Sequence, residues 1–219
     1  MIRAVIFDLD GTVVDSNELH VDAWAETFQH YGKDFPRARL HQQIGKGGDK
    51  YLPEFLTEAE LREFGEELEA FRADLFQRDY LQRVRPFPKV KELFARIRDD
   101  GKRIALASSG NETEVEHYVK LAELGDLIES RTSKSEVEHS KPSPDVFTSA
   151  LHLLGLSPQE AIVVGDTPYD IQAAKKLELP TIALLCGGFG EDELRASGAV
   201  AIYRDPADLL ENYFRSPLS

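Results

Sequence analysis

The sequence predicts an α/β protein: a doubly wound parallel sheet, interrupted after its first strand by a helical insert. Three observations carry this reading. From Lys89 onward, apolar runs alternate with amphipathic helical patterns. Those runs are apolar throughout rather than at every second position, as strands covered on both faces are. The segment from about residue 17 to 86 breaks the rhythm, being helical almost throughout with no convincing strand. The expected division is an α/β core of residues 1–16 and 87–219 and a helical cap of residues 17–86.

The elements follow in order. An apolar run starting at the second residue ends in Ala-Val-Ile-Phe-Asp-Leu-Asp-Gly-Thr, residues 4–12. In the insert, Leu61, Phe64, Leu68, Phe71 and Leu75 recur at three- and four-residue steps, which places one apolar seam on a long charged helix. Short connections lead out (13–16) and back (85–88), the latter Arg85-Pro-Phe-Pro, whose prolines stiffen the return. Val90, Leu93, Phe94 and Ile97 mark the next helix, closed by Gly101 before a strand at 103–107. A helix from about 112 to 122 leads to a weak strand near Leu127. In Lys141-Pro-Ser-Pro, proline opens a helix carrying Val146, Phe147, Ala150, Leu151 and Leu154, which Gly155 ends. Further strands are expected at 161–164, at 181–185 and, more faintly, at 200–203.

Composition limits the function classes. With 219 residues and 42% hydrophobic content there is material for one sizeable core with an insert. Cys186 is the single cysteine, so no intrachain disulfide forms. A strand pattern this close to the first residue leaves no charged start and cleavage site of a signal peptide, and no run of eighteen apolar residues is present. The expected location is cytoplasmic, with no membrane partner. A net charge of −13 argues against nucleic acid, which needs a basic face to neutralise its phosphates. It would also repel small anions at long range, so an anionic substrate has to be drawn by a local trap of metal ion, lysine and backbone N–H groups.

In parallel sheets the ligand site lies beyond the carboxyl ends of the strands, so the residues just after each strand are the ones to collect. They are Asp8 and Asp10, then Ser108 and Ser109, then Lys141 before its helix, and finally Gly165-Asp166-Thr-Pro-Tyr-Asp170. A hard cation such as Mg²⁺ takes one or two carboxylates and fills its remaining positions with substrate phosphate and water. Asp8 and Asp166 can supply those two. Lys141 would offset further phosphate charge, and the Ser108 hydroxyl with nearby N–H groups could hold phosphoryl oxygens. One carboxylate is then left to attack phosphorus and another to manage the proton. Each residue also has a plainer reading. Ser108 and Ser109 suit a helix cap, Lys141 a solvated lysine, and Asp166 and Asp170 the cap of the following helix.

This ordered set resembles the haloacid dehalogenase-like superfamily of phosphohydrolases, in its subgroup with a small helical cap that includes phosphoglycolate phosphatases and β-phosphoglucomutases. The resemblance covers nearly the whole chain. Asp8-Leu-Asp-Gly-Thr looks like the first motif, Ala-Leu-Ala-Ser ending at Ser108 the second, Lys141 the third, and Gly165-Asp166 with Asp170 the fourth. The resemblance implies that Asp8 is the nucleophile forming an aspartyl-phosphate. It implies that Asp10 protonates the leaving oxygen, later activates water, and lends its backbone carbonyl to the metal. By the same likeness Asp8, Asp10 and Asp166 hold Mg²⁺, Asp170 orients Asp166 or metal-bound water, and Lys141 bridges Asp8 and the phosphate. The expected partner is a small phosphorylated metabolite, phosphoglycolate or a sugar phosphate, and a monomer is favoured.

Further residues divide the neighbouring activities. Asp10 separates the chain from the dehalogenases it otherwise resembles, which need no second acid. A cap lysine serving as a Schiff base would suit phosphonate cleavage, but Lys46 and Lys50 also read as exposed lysines in a glycine-rich turn. Lys46, in Ile44-Gly-Lys-Gly-Gly, is the candidate to contact the leaving group. The same glycines equally suit a flexible connection. His20 stands where β-phosphoglucomutase has a histidine supporting proton transfer, and it also fits a packed position beside Leu19, Ala23 and Trp24. The leading expectation is a Mg²⁺-dependent phosphomonoester phosphatase. A phosphosugar mutase and a non-catalytic phosphoacceptor of the receiver type are the alternatives.

Overall fold

The computed structural model of the chain describes residues 1–133 and 137–219. Its main sheet has six strands, β1 (Ala4–Phe7), β4 (Arg103–Ala107), β5 (Ser130–Thr132), β6 (Ala161–Gly165), β7 (Thr181–Leu184) and β8 (Ala201–Tyr203), in the order β5-β4-β1-β6-β7-β8. Every pairing in it is parallel. The remaining two strands, β2 (Val14–Asp15) and β3 (Arg85–Pro86), pair antiparallel with each other. The two short connections to the insert therefore run side by side as one short ladder.

Period-two alternation explains why the strands read as solid apolar runs. Val5 and Phe7 face one layer with Ile104, Leu106, Ile162 and Val164. Ala4 and Ile6 face the other with Ala105, Ala107, Ala161 and Val163. The first layer is covered by α5 (Val90–Asp99), α6 (Glu112–Leu121) and α10 (Pro206–Glu211), the second by α7 (Asp145–Leu154) and α8 (Pro168–Lys175). A last helix, α9 (Glu191–Ser197), packs Leu194 against Ile171 and Ala183. The weak strand expected near Leu127 lies elsewhere. Leu127 sits in a turn, donating to the Leu124 carbonyl at 2.8 Å, and the strand is Ser130–Thr132. That strand lies on the sheet edge and pairs only with β4, so it carries no apolar run for periodicity to detect.

Between β2 and β3 lie α1 (Asn17–His30), α2 (Arg37–His41), α3 (Gly48–Tyr51) and α4 (Glu58–Leu75), followed by a π-helical turn at Phe76–Tyr80. A capping box opens α4: the Thr57 side chain receives the Glu60 N–H while the Glu60 carboxylate accepts from Thr57. These helices bury their own cluster, with Trp24, Phe28, Leu40, Tyr51, Phe55 and Leu68 at its centre. The seam read along α4 divides. Leu61, Phe64 and Leu68 join that cluster, whereas Phe71 and Leu75 meet the core layer above the sheet. Among the described residues no helix is long and apolar enough to cross a membrane.

Phe94 supports the strand that carries Asp8: it is fully buried, and its ring centroid lies 4.4 Å from that of Phe7. Replacing Phe94 with Ala is expected to destabilise the protein by about 3–5 kcal/mol, read from urea unfolding midpoints. A loss below about 1 kcal/mol would show that this layer tolerates the cavity.

Candidate functional site

Sheet register assembles the site. Phe7 is level with Leu106 of β4 and Val164 of β6, so Asp8 leaves the sheet beside Ala107 and Gly165, one residue before Ser108 and Asp166. The Asp8 N–H is fixed by the Val164 carbonyl at 2.9 Å. Three carboxylates, Asp8, Asp166 and Asp170, place oxygen atoms within 4.8 Å of one another, and all three are buried. Into this group reaches the Lys141 ammonium, 1% exposed. It pairs with Asp8, pairs with Asp170 at 2.8 Å and donates to the Ala107 carbonyl at 3.0 Å.

Asp166 is boxed in by backbone. A Cβ on Gly187 would stand 1.8 Å from its Oδ2, and one on Gly11, whose φ is +73°, would stand 2.2 Å from the same atom. Thr12 Oγ1 donates to Asp166 Oδ1 at 3.0 Å, and Asn17 Nδ2 donates to Oδ2 at 2.8 Å and to the Gly187 carbonyl at 2.9 Å. Asp170 Oδ2 receives the Thr167 N–H at 3.0 Å and its hydroxyl at 2.7 Å, capping α8 as well as meeting Lys141.

Three carboxylates facing one ammonium leave the cluster short of positive charge in a place where charge is poorly screened. Burial pushes the Asp8 carboxyl up to about 7 from its ordinary 3.8; Lys141 opposes the rise, and Asp170 and Asp10 add to it. Burial, then Asp170 and Asp8, holds Asp166 well above the usual carboxylate range. For Lys141, burial works against the charge, but Asp170 and Asp8 outweigh it and raise its pKa. An all-oxygen, anionic, buried donor set of this kind, made by Asp8, Asp166 and Asp170, fits a hard divalent cation.

Asp10 is wired differently. Its Oδ1 accepts from Ser16 Oγ at 2.6 Å and meets His20 Nε2 at 2.8 Å. The other ring nitrogen of His20, Nδ1, meets the Arg72 guanidinium, which can only donate. Nδ1 is therefore the acceptor, and Nε2 carries the hydrogen that goes to Asp10. Phe76, on the π-helical turn, stacks under the same ring at 4.1 Å. Burial tends to raise the Asp10 pKa, but His20, Ser16 and Arg72 prevail and hold it below the usual value.

A cleft of ≈160 Å³ opens above these groups. It is lined by Asp8 and Asp10, by Ser109, Gly110, Asn111 and Glu114, and by His20, Trp24, Ile44, residues 45–48, Glu69, Arg72 and Ala73 of the insert. Ser108, Lys141, Asp166 and Asp170 are buried and do not line it. Ser108 Oγ accepts the Gly110 N–H at 2.9 Å, shaping the loop in which Ser109 meets the cleft. Lys46 lines the cleft, yet its ammonium turns to Glu54 at 2.8 Å and lies 4.8 Å from the centre of the Tyr169 ring. Lys50 is exposed.

The sequence reading missed Thr12, Asn17, Arg72 and Glu114. Thr12 and Asn17 lay within or just after a recognised motif and could have been collected with it. Arg72 and Glu114 sit on charged helices, where nothing in the spacing marks one arginine or glutamate as the one that meets the cleft.

A family model described as haloacid dehalogenase-like hydrolase matches residues 5–184. The chain is 28% identical over 192 residues to a pyrophosphatase PpaX of Bacillus cereus, spanning 84% of this chain and 83% of that protein. It is likewise 28% identical over 214 residues to a pyrophosphatase PpaX of Halalkalibacterium halodurans, spanning 96% of each. Among solved structures, a hydrolase from Pseudomonas syringae aligns with a TM-score of 0.89 at 29% identity, covering 97% of this chain and 98% of that one.

The raised Asp8 pKa carries a sign. The folded protein holds this proton more tightly than the unfolded chain, so metal-free stability is lost as pH rises from the ordinary 3.8 through about 7. In chelator, the unfolding midpoint of the parent protein is expected to fall across that window by more than that of Asp8→Asn. Parallel pH profiles for the two proteins would contradict the burial of a charge-deficient cluster.

Proposed function

The chain belongs to the haloacid dehalogenase-like hydrolase family, and from that premise we propose that it is a phosphatase dependent on a divalent cation, with Mg²⁺ the expected ion and a small phosphorylated metabolite the substrate. The observation that carries the proposal is the Asp8 carboxylate, held by Lys141 inside the acidic cluster and facing the cleft.

Asp8 attacks phosphorus to give an aspartyl-phosphate, and the bond from phosphorus to the leaving oxygen breaks. Lys141 keeps Asp8 oriented throughout, because its ammonium is fixed at three points. Asp10 lies at the cleft with one oxygen committed to Ser16 and His20, which leaves Oδ2 for proton transfer. A phosphoryl group arriving beside Asp10 raises its pKa by like-charge repulsion, favouring the protonated form that the leaving oxygen requires. Once the product alcohol has gone, the ionised Asp10 takes a proton from the water that hydrolyses the intermediate. Asp8 and Asp166 would hold the cation, which would supply positive charge to the phosphoryl oxygens. Ser109 and the N–H groups of its loop are the candidates to hold those oxygens from the side. The roof formed by the insert supports an enzyme that encloses its substrate over an open phosphoacceptor surface.

Phosphate release from an aryl phosphate and a metabolite panel, with Mg²⁺ or with chelator, tests the proposal. Inorganic pyrophosphate belongs on that panel because the curated relatives carry the name pyrophosphatase. Turnover is expected only with the cation, and Asp8→Asn is expected to lose at least ~10³-fold in kcat. Equal release by Asp8→Asn and the parent would remove Asp8 from the role of nucleophile.

A further inference from the structure

The glycine-rich turn of the insert is docked on the core segment that delivers Lys141. Gly47 donates its N–H to Ser140 Oγ at 3.0 Å. The Ser140 hydroxyl in turn donates to Asp49 Oδ1, and the Ser140 N–H donates to Asp49 Oδ2 at 3.3 Å. These bonds join residues 91 and 93 positions apart, with the insert on one side and the core on the other. Ser140 is buried, and the next residue is Lys141. Neither Asp49 nor Ser140 lines the cleft, but the turn they anchor, residues 45–48, does.

Close approach explains the glycine at the contact. Backbone geometry does not require one at position 47, whose φ of −75° and ψ of 167° suit any residue. Space does: a Cβ on Gly47 would stand 2.6 Å from the Ser140 Cβ and 2.8 Å from its Oγ. The other end of the turn rests on the loop after β6, where the Tyr169 hydroxyl donates to the Gln42 carbonyl and a Cβ on Gly45 would fall 2.7 Å from Thr167 Cγ2. The turn is thus pinned to the two core segments that bring Lys141 and Asp170 together. The Ser140 hydroxyl works in both directions, giving its hydrogen to a carboxylate while accepting from Gly47. A hydroxyl that donates to a charged group is a stronger acceptor, so losing Asp49 weakens the Gly47 bond as well.

We propose that Asp49 and Ser140 are positioning residues, which through one shared contact hold the glycine-rich turn shut over Asp8 beside the segment that carries Lys141. The inference rests on the phosphatase reading above. With the contact broken, the turn lifts from its seat and the cleft loses one wall, so fewer bound substrates reach reacting geometry. Lys141 keeps its own bonds to Asp8, Asp170 and the Ala107 carbonyl, which do not pass through Ser140.

The test measures kcat/KM for p-nitrophenyl phosphate with Mg²⁺, and hydrogen exchange of the Gly47 amide, in the parent, Asp49→Ala, Ser140→Ala and the double variant. Each single variant is expected to lose at least ~10-fold in kcat/KM and to exchange the Gly47 amide faster. The double variant is expected to lose no more than either single one, because both act through one contact. Asp49→Asn, which keeps an acceptor for the Ser140 hydroxyl, is expected to recover part of the loss, and Gly47→Ala to reproduce it with both partners in place. If Ser140→Ala does not fold, Asp49→Ala decides, since the Asp49 side chain is partly exposed. Parent-like kcat/KM or parent-like Gly47 exchange in Asp49→Ala would overturn the inference and leave the phosphatase reading standing. Additive losses in a folded double variant would also overturn it. No turnover by the parent would overturn both.

Discussion

The Lys141 ammonium, buried at the carboxyl edge of the sheet between Asp8 and Asp170, is the constraint from which the site follows. A lysine this deep stays charged only because two carboxylates and the Ala107 carbonyl surround it. Those partners come from three places in the chain: the end of β1, the end of β4 and the first turn of α8. Only the register of β4, β1 and β6 brings them together. Asp166 then makes the group more negative than one lysine can balance. Two glycine backbones and donors from Thr12 and Asn17 hold it in that position. That imbalance is the feature on which the proposed cation and phosphoryl binding depends.

The second carboxylate of the first motif answers to a different part of the molecule. Asp10 is tied to Ser16 at the root of the insert, to His20 on α1, and through His20 to Arg72 on α4. Asp8 and Asp10 are two residues apart in sequence, yet the core fixes one while the insert sets the hydrogen bonding of the other. The β2–β3 ladder joins insert to core along paired strands, which keeps both connections in step. The same helix that orients His20 also contributes Glu69, Arg72 and Ala73 to the lining of the cleft.

Much of this was legible in the sequence because strands and their polar tips are local features. The solid apolar runs at residues 161–164 and 103–107 marked a sheet covered on both faces, and the polar residues beyond them marked its ligand edge. Asp8, Asp10, Lys141 and Asp166 stand at or near those tips, and the structure gathers them at one end of the sheet. Asp170 was read as a residue behind Asp166; the structure also gives it the lysine and a place in the acidic cluster. Edge strand β5 was misplaced because its residues, Ser130, Arg131 and Thr132, carry no apolar signal. Arg72 and Glu114 were invisible for a different reason. On helices as charged as α4 and α6, periodicity identifies the inward face but not what meets it. The glycine-rich setting of Lys46 is visible in the sequence, whereas the partners that draw its ammonium aside, Glu54 and Tyr169, are set by tertiary packing.

The central claim is that the buried acidic cluster is incomplete without a divalent cation, and calorimetric titration of the metal-free protein with Mg²⁺ tests it most directly. The account predicts one saturable site per chain, lost in an Asp166→Asn variant that keeps the helical and sheet signature of the parent by circular dichroism. Absence of saturable binding in the parent, or undiminished binding in folded Asp166→Asn, would contradict it.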